Sequence, residues 1–150
     1  MSNPVSPAAK KESCRIMAID YGDARTGVAV SDESQTITGD AWVIQSKRLI
    51  EVAQAVAAEA ETRCVSRIVV GYPKNMDGSL GPRAEKSKQF VDQLSLLCDV
   101  EVILWDERLT TISAHRVLTD VGKFGKKRKN TIDAVAASLI LESYLGSLSK

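Results

Sequence analysis

The chain has one histidine, and its three cysteines, Cys14, Cys64 and Cys98, form no C-x-x-C pair. This pattern argues against a zinc site and against a disulfide framework, and it suits a reducing cytosol. Cys64 follows a helical stretch and Cys98 ends one, so both are expected to be small core residues. His115 stands alone, which favours a surface or structural role. No apolar run approaches the roughly 20 residues that a membrane helix needs. The first 12 residues lack the apolar centre and cleavage pattern of a secretory signal. A soluble, cytoplasmic protein is expected. An excess of one charge is also missing, since 20 Lys and Arg against 19 Asp and Glu leave a net charge of +1. Composition alone therefore does not signal nucleic-acid binding, and any such argument must come from local clustering.

What remains is globular: 44% apolar and 26% charged residues in a chain of 150. That length suits one domain, which would bury roughly 70% of its unfolded surface. Residues 1–14, with two prolines and several small residues, are expected to be a flexible tail, and 15–150 a single domain. Arg15 to Asp20 is apolar almost throughout and predicts a strand buried on both faces. After a glycine-bounded turn, Gly27 to Asp32 and Ile37 to Ile44 extend it into an antiparallel meander. Ser46 can cap a helix running to about Arg63, with Leu49, Ala53, Val56, Ala57 and Ala60 on one face.

Arg67 to Tyr72 is a second buried strand. Pro82 then opens a helix with Phe90, Val91, Leu94, Leu97 and Cys98 as its stripe. Val100 to Trp105 is a third buried strand, and Thr110 to Val121 a further helix. Gly122 to Lys129 is expected to be a basic loop. Asn130 would cap a last helix, with Ile132, Val135, Ala136, Leu139, Ile140 and Tyr144 inward. The order β-β-β-α-β-α-β-α-α predicts an α/β fold: a mixed five-stranded sheet, a three-strand antiparallel meander plus two parallel strands, with helices on both faces.

Three acids stand at element ends. Asp20 closes the first strand, Glu107 follows the third buried strand, and Asp133 is expected in the first turn of the last helix. Each has an ordinary explanation, as a turn residue or as a first-turn acid favoured by the helix dipole. Together they can project from the carboxyl edge of one sheet, where α/β proteins place their chemistry. Carboxylates gathered there repel one another unless a cation joins them. All-oxygen ligands suit Mg²⁺ or Mn²⁺ rather than zinc. A metal pair held in this way is one solution for cleaving a phosphodiester. Asp23 and Asp106 are auxiliary candidates, Asp106 the weaker because it can face away from Glu107.

The segment Lys123-Phe-Gly-Lys-Lys-Arg-Lys129 carries five cations in seven residues directly before the helix of Asp133. Charge runs are often only solvated surface. Here the neighbouring acids favour a clamp on a phosphate backbone by Lys123, Lys126, Lys127, Arg128 and Lys129, with Phe124 able to stack on a base. Arg108 and Arg116 are placed with this patch. Arg25, inside the turn after Asp20, can hold a phosphate through its guanidinium fork. Lys74 and Asn75 can do so from the loop beginning at Pro73.

The segments IDYGDARTGVAVSD (19–32), VVGYPKNMDGSLGPRA (69–84), WDERLTTISAHRVL (105–118) and KKRKNTIDAVAASLILESYL (126–145) resemble, in order, the motifs of the YqgF family, also called RuvX. Its members are described as pre-16S rRNA nucleases and earlier as Holliday junction resolvases. Lys74 replaces the apolar residue usual in that family's loop. The resemblance implies a ribonuclease H-like fold and an acidic, metal-dependent nuclease site of Asp20, Glu107 and Asp133. It implies structured RNA, above all precursor 16S rRNA, or branched DNA as substrate, with ribosomal particles as further partners. A monomer or homodimer and a non-catalytic RNA-binding module remain open at this point.

Overall fold

The computed structural model describes residues 15–35, 38–72, 81–106 and 125–148, with 125–131 described as backbone only. The element order is β1 (Arg15–Asp20), β2 (Arg25–Ser31), β3 (Thr38–Gln45), α1 (Leu49–Thr62), β4 (Val65–Tyr72), α2 (Pro82–Leu97), β5 (Glu101–Asp106) and α3 (Gly125–Leu148). The expected N-terminal tail and the helix expected at Thr110 to Val121 lie outside the described residues.

The five strands form one sheet in the order β3-β2-β1-β4-β5. β1, β2 and β3 are the antiparallel meander. β4 pairs parallel with β1, and β5 parallel with β4. Asp20, Tyr72 and Asp106 therefore end three parallel strands at one edge of the sheet, and β2 starts there with Arg25. This is the mixed five-stranded sheet expected from the sequence.

Strand side chains alternate between faces, and each face has its own core. Met17, Ile19, Val28, Val30, Ile68 and Val70 pack with Val52, Val56, Phe90 and Leu94 of α1 and α2. Ile16, Ala18, Ala29 and Val69 pack with Ala137, Ile140, Leu141 and Tyr144 of α3. Burial on both faces explains why β1 and β4 are apolar runs rather than alternating ones. The α3 side is further tied by polar contacts. The Arg67 guanidinium donates to the Tyr144 hydroxyl, and Trp105 Nε1 donates to Ser143 Oγ at 3.1 Å. The Trp105 ring meets Tyr144 edge-on at 5.3 Å.

Several expectations are corrected. α1 starts at Leu49 rather than next to Ser46, and its N-cap Arg48 makes no side-chain cap bond. Ser46 still supports the entry, since its Oγ accepts from Arg48 N–H at 3.1 Å and donates to Glu51 at 2.7 Å. Cys98 packs against the core, but Cys64 is exposed. Cys64 holds a left-handed turn of φ 57° between α1 and β4, which turns its side chain out of the helical face. β5 is an edge strand and only half-buried. Leu97, the last residue of α2, is exposed, while Ser87 is buried in the stripe with Ala84, Phe90 and Leu94. In α3 the fully buried positions are Ala137, Ile140, Leu141, Tyr144 and Leu145, and Ile132, Val135, Ala136 and Leu139 are half-buried.

The largest correction concerns the basic segment. α3 begins at Gly125, so Lys126 to Lys129 lie in its first turns rather than in a loop. Asn130 is interior to the helix, and Asp133 is its ninth residue rather than a first-turn acid. Lys and Arg are good helix formers, and no glycine or proline after Gly125 interrupts the run.

Candidate active site at the carboxyl edge of the sheet

The turn from β1 to β2 sets the geometry. Thr26, fully buried, accepts from the Gly22 N–H at 3.3 Å. A Cβ on Gly22 would stand 2.2 Å from the Arg25 carbonyl oxygen, so the turn closes this tightly only around glycine. The turn returns the chain so that Gly27 pairs with Asp20 across the ladder. Asp20 has the parity of Ile16 and Ala18, and Gly27 that of Ala29, so both lie on the α3 face.

Gly27 is where α3 crosses the sheet. A Cβ there would lie 2.0 Å from the Asp133 carbonyl oxygen and 3.3 Å from the Ala137 Cβ. The bare strand thus lets the third turn of α3 approach beside Asp20. The main chain of Asp133 lies against the residue that pairs with Asp20. The carboxylates are mostly enclosed, with side-chain exposures of 15% for Asp20 and 21% for Asp133.

Each of these acids carries an arginine. Arg25 Nε donates to Asp133 Oδ2 at 2.8 Å. Arg83, the second residue of α2, places Nη2 3.8 Å from Asp20 Oδ1, longer than a hydrogen bond. Next to them, Lys86 Nζ donates to Asp23 Oδ1 at 2.6 Å. That bond raises the Lys86 pKa above its ordinary value. Burial raises the Tyr21 pKa, and the charge of Asp23 adds to the effect. The Tyr21 ring stacks on Phe90 at 4.8 Å and anchors the start of the turn.

Among the predicted site residues, the structure joins Arg25 to Asp133 and sets Asp20 opposite Gly27 on the α3 face of the sheet. Glu107, Lys74, Asn75, Arg108, Arg116 and Lys123 lie outside the described residues. Lys126, Lys127, Arg128 and Lys129 are described only as backbone of α3, which leads to Asp133. Asp106 shares the parity of Val102 and Leu104 and so belongs to the α1/α2 face, away from Asp133. Asp23 is engaged by Lys86. Arg83 was missed by sequence reasoning. Its signal was its place directly after Pro82, because the helix following a parallel strand starts at that strand's carboxyl end.

Among the described residues no group of three metal-ligating side chains occurs. Asp20 and Asp133 nevertheless supply only hard oxygen donors on one face of the sheet. The glycine cradle at position 27 brings the helix of one beside the other. This donor set fits a hard divalent cation.

Comparison with known proteins identifies the family and the fold. A family model described as "RuvX: Holliday junction resolvase" matches residues 14–147. A protein of Halothermothrix orenii named "Putative pre-16S rRNA nuclease" is 48% identical over 136 residues, covering 91% of this chain and 97% of its own. Two solved structures share the fold. T. thermophilus RuvC in complex with a Holliday junction substrate has a TM-score of 0.59 at 14% identity, covering 91% of this chain and 97% of that one. Fowlpox virus resolvase with Holliday junction DNA has a TM-score of 0.53 at 13% identity, covering 91% and 99%.

Proposed function

This chain belongs to the RuvX family, and from that footing we propose that it is a metal-dependent endonuclease acting on structured RNA at the 5′ end of precursor 16S rRNA. It would do so in the cytoplasm, on free precursor or on ribosomal particles. The observation that carries the reading is the approach of Asp133 to the Asp20 edge of the sheet across Gly27. Enclosed carboxylates at one sheet edge repel unless cations compensate them; Arg25 and Arg83 do so in part, and a bound divalent ion would complete it.

Asp20 and Asp133, with Glu107 as the third acid, would hold Mg²⁺ or Mn²⁺. Such an ion would supply an activated water at neutral pH and would stabilise the charge that develops on the phosphate. The chain's own residues bind and orient. Arg25, now on Asp133, sits at the mouth of the site, where its guanidinium can exchange a carboxylate for a phosphate oxygen. Arg108, Arg116, Lys74 and Asn75 belong to motifs that adjoin the site in sequence. Lys123 and the run Lys126 to Lys129, whose backbone belongs to the helix that carries Asp133, would hold flanking phosphates.

A second reading follows from the family model's own description. The same acids would then cut a four-way DNA junction, and symmetric cleavage of two strands would require a two-fold dimer. The deciding experiment offers a 5′ fragment of precursor 16S rRNA and a four-way DNA junction side by side with Mn²⁺. Wild type is compared with Asp20→Asn. RNA cleavage lost in the variant is the expected result. Junction cleavage alone, by a dimer, transfers the assignment to resolvase. Cleavage of neither leaves an RNA-binding module and overturns the nuclease reading.

A further inference from the structure

We propose that Arg83, Lys86 and Lys47 form a second phosphate-binding track, which carries the RNA backbone from Asp20 across the start of α2. The track rests on the nuclease reading and extends it to residues outside the Lys126–Lys129 run and Arg25.

Arg83 stands at the edge of the site, 65% exposed, and its contact with Asp20 at 3.8 Å is a loose one. Lys86 is one helical turn further. Residues three apart are neighbours on a helix surface, with Cβ atoms about 5–6 Å apart. Arg83 and Lys86 therefore make a row that leads away from Asp20. The row ends at an open cleft of about 460 Å³, lined by Tyr21, Asp23, Ala24, Lys47 and Lys86 among others. Lys47 is exposed and has no ion-pair partner among the described residues.

Three cations thus face two carboxylates, Asp20 and Asp23, and the surplus sits at the far end. The Lys86–Asp23 pair is about half exposed on the lysine side and more on the acid side. Exposed pairs of this kind hold weakly and yield readily to a multiply charged partner. The wall of the cleft, which Leu49 and Gln89 complete, offers a base no free aromatic face to stack on. Tyr21 is buried and already stacked on Phe90. The cleft is therefore fitted to backbone phosphate, which positions a strand without reading its sequence. α2 also supplies an internal control: Lys88 is exposed but flanks the buried stripe of Ala84, Ser87, Phe90 and Leu94 on the side opposite Lys86.

The test is fluorescence anisotropy with a labelled 5′ fragment of precursor 16S rRNA in EDTA, over a range of salt. The proteins compared are wild type, the combined variant Lys47→Ala/Arg83→Ala/Lys86→Ala, and Lys88→Ala. All three positions of the combined variant are exposed, and an unchanged circular dichroism spectrum and Tm will show that it folds. The combined variant should bind at least tenfold more weakly. Its salt slope should fall by about 2, at roughly 0.7 per phosphate on a single strand. Lys88→Ala should match wild type. If the combined variant keeps the wild-type affinity and slope, or if Lys88→Ala loses as much, the track is wrong and the nuclease reading stands. Wild type that fails to bind the RNA at all overturns both.

Discussion

Gly27 and Asp133 touch through their main chains: a Cβ on the glycine would stand 2.0 Å from the aspartate's carbonyl oxygen. Helix α3 can therefore reach Asp20 only while position 27 is bare. In Gly27→Ala the helix must retreat, and such overpacking costs about 1–3 kcal/mol. Urea unfolding should show that loss. Cleavage should fall further than the folded fraction does, because the retreat moves Asp133. A variant as stable and as active as wild type would refute the close approach.

Asp133→Asn keeps the side chain's shape and removes its charge. Cleavage should drop about 10²-fold or more, as when a group that stabilises developing charge is lost, here the ion that Asp133 would help to hold. Arg25→Ala should also slow cleavage but should weaken RNA binding as well, since Arg25 is proposed to hold phosphate. Single-turnover kinetics with a binding titration separate the two. Equal effects of both variants on binding would remove the distinct roles.

Mg²⁺ or Mn²⁺ should raise the Tm. A ligand that binds only the folded state stabilises it by about 2.7 kcal/mol at 100 times its Kd. Asp20→Asn should lose most of the shift. Differential scanning fluorimetry at millimolar metal reads it directly, and a wild-type Tm that ignores both ions counts against the site.

Tyr21 gives a pH dependence of known sign. Burial raises its pKa above the ordinary value, which for tyrosine is about 10. The folded state then holds the phenolic proton more tightly than the unfolded state does. The contribution is fully present below the unfolded value and is lost as pH rises through the folded one. Stability should therefore fall above about pH 10. Tyr21→Phe, which keeps the ring on Phe90, should lose part of that fall. Urea midpoints between neutral and strongly alkaline pH test it, and parallel curves for the two proteins would contradict it.

Cys64 holds φ 57° at a position after a helix where glycine is usual. The left-handed conformation costs a side-chain-bearing residue about 1–2 kcal/mol. Cys64→Gly should gain about 1 kcal/mol after the extra freedom of glycine in the unfolded chain is counted. The urea midpoint should rise, and a fall would show that the thiol makes a contact worth more than the strain.

The fold was legible in the sequence where one local rule decides. β1 and β4 were visible because strands buried on both faces tolerate almost no polar residue, and Pro82 marked the first turn of α2. It was illegible where the answer depends on distant parts of the chain. Whether β5 is interior or at the edge follows from strand order, which its own residues do not encode. The start of α3 was misplaced because a lysine-rich run suits helix and loop alike. Asp20 ends β1 as its place in the sequence suggested, whereas Asp133 was expected in a first turn and stands in the third turn of α3, and Glu107 lies outside the described residues. Their arginine partners were not paired in advance: Arg25 and Asp133 are 108 residues apart, and no spacing rule joins them. Gly27 looked like a turn boundary, while its use is to admit a helix made much later.

That order of synthesis has a consequence. All five strands and both helices of the opposite face precede α3 in the chain, and α3 covers the apolar surface of Ile16, Ala18, Ala29 and Val69. During translation that surface must wait bare, a natural ligand for a chaperone. The approach of Asp133 to the Asp20 edge cannot form until α3 has left the ribosome. On the proposed reading, a nascent chain is thus unarmed toward the RNA-built machine that is making it.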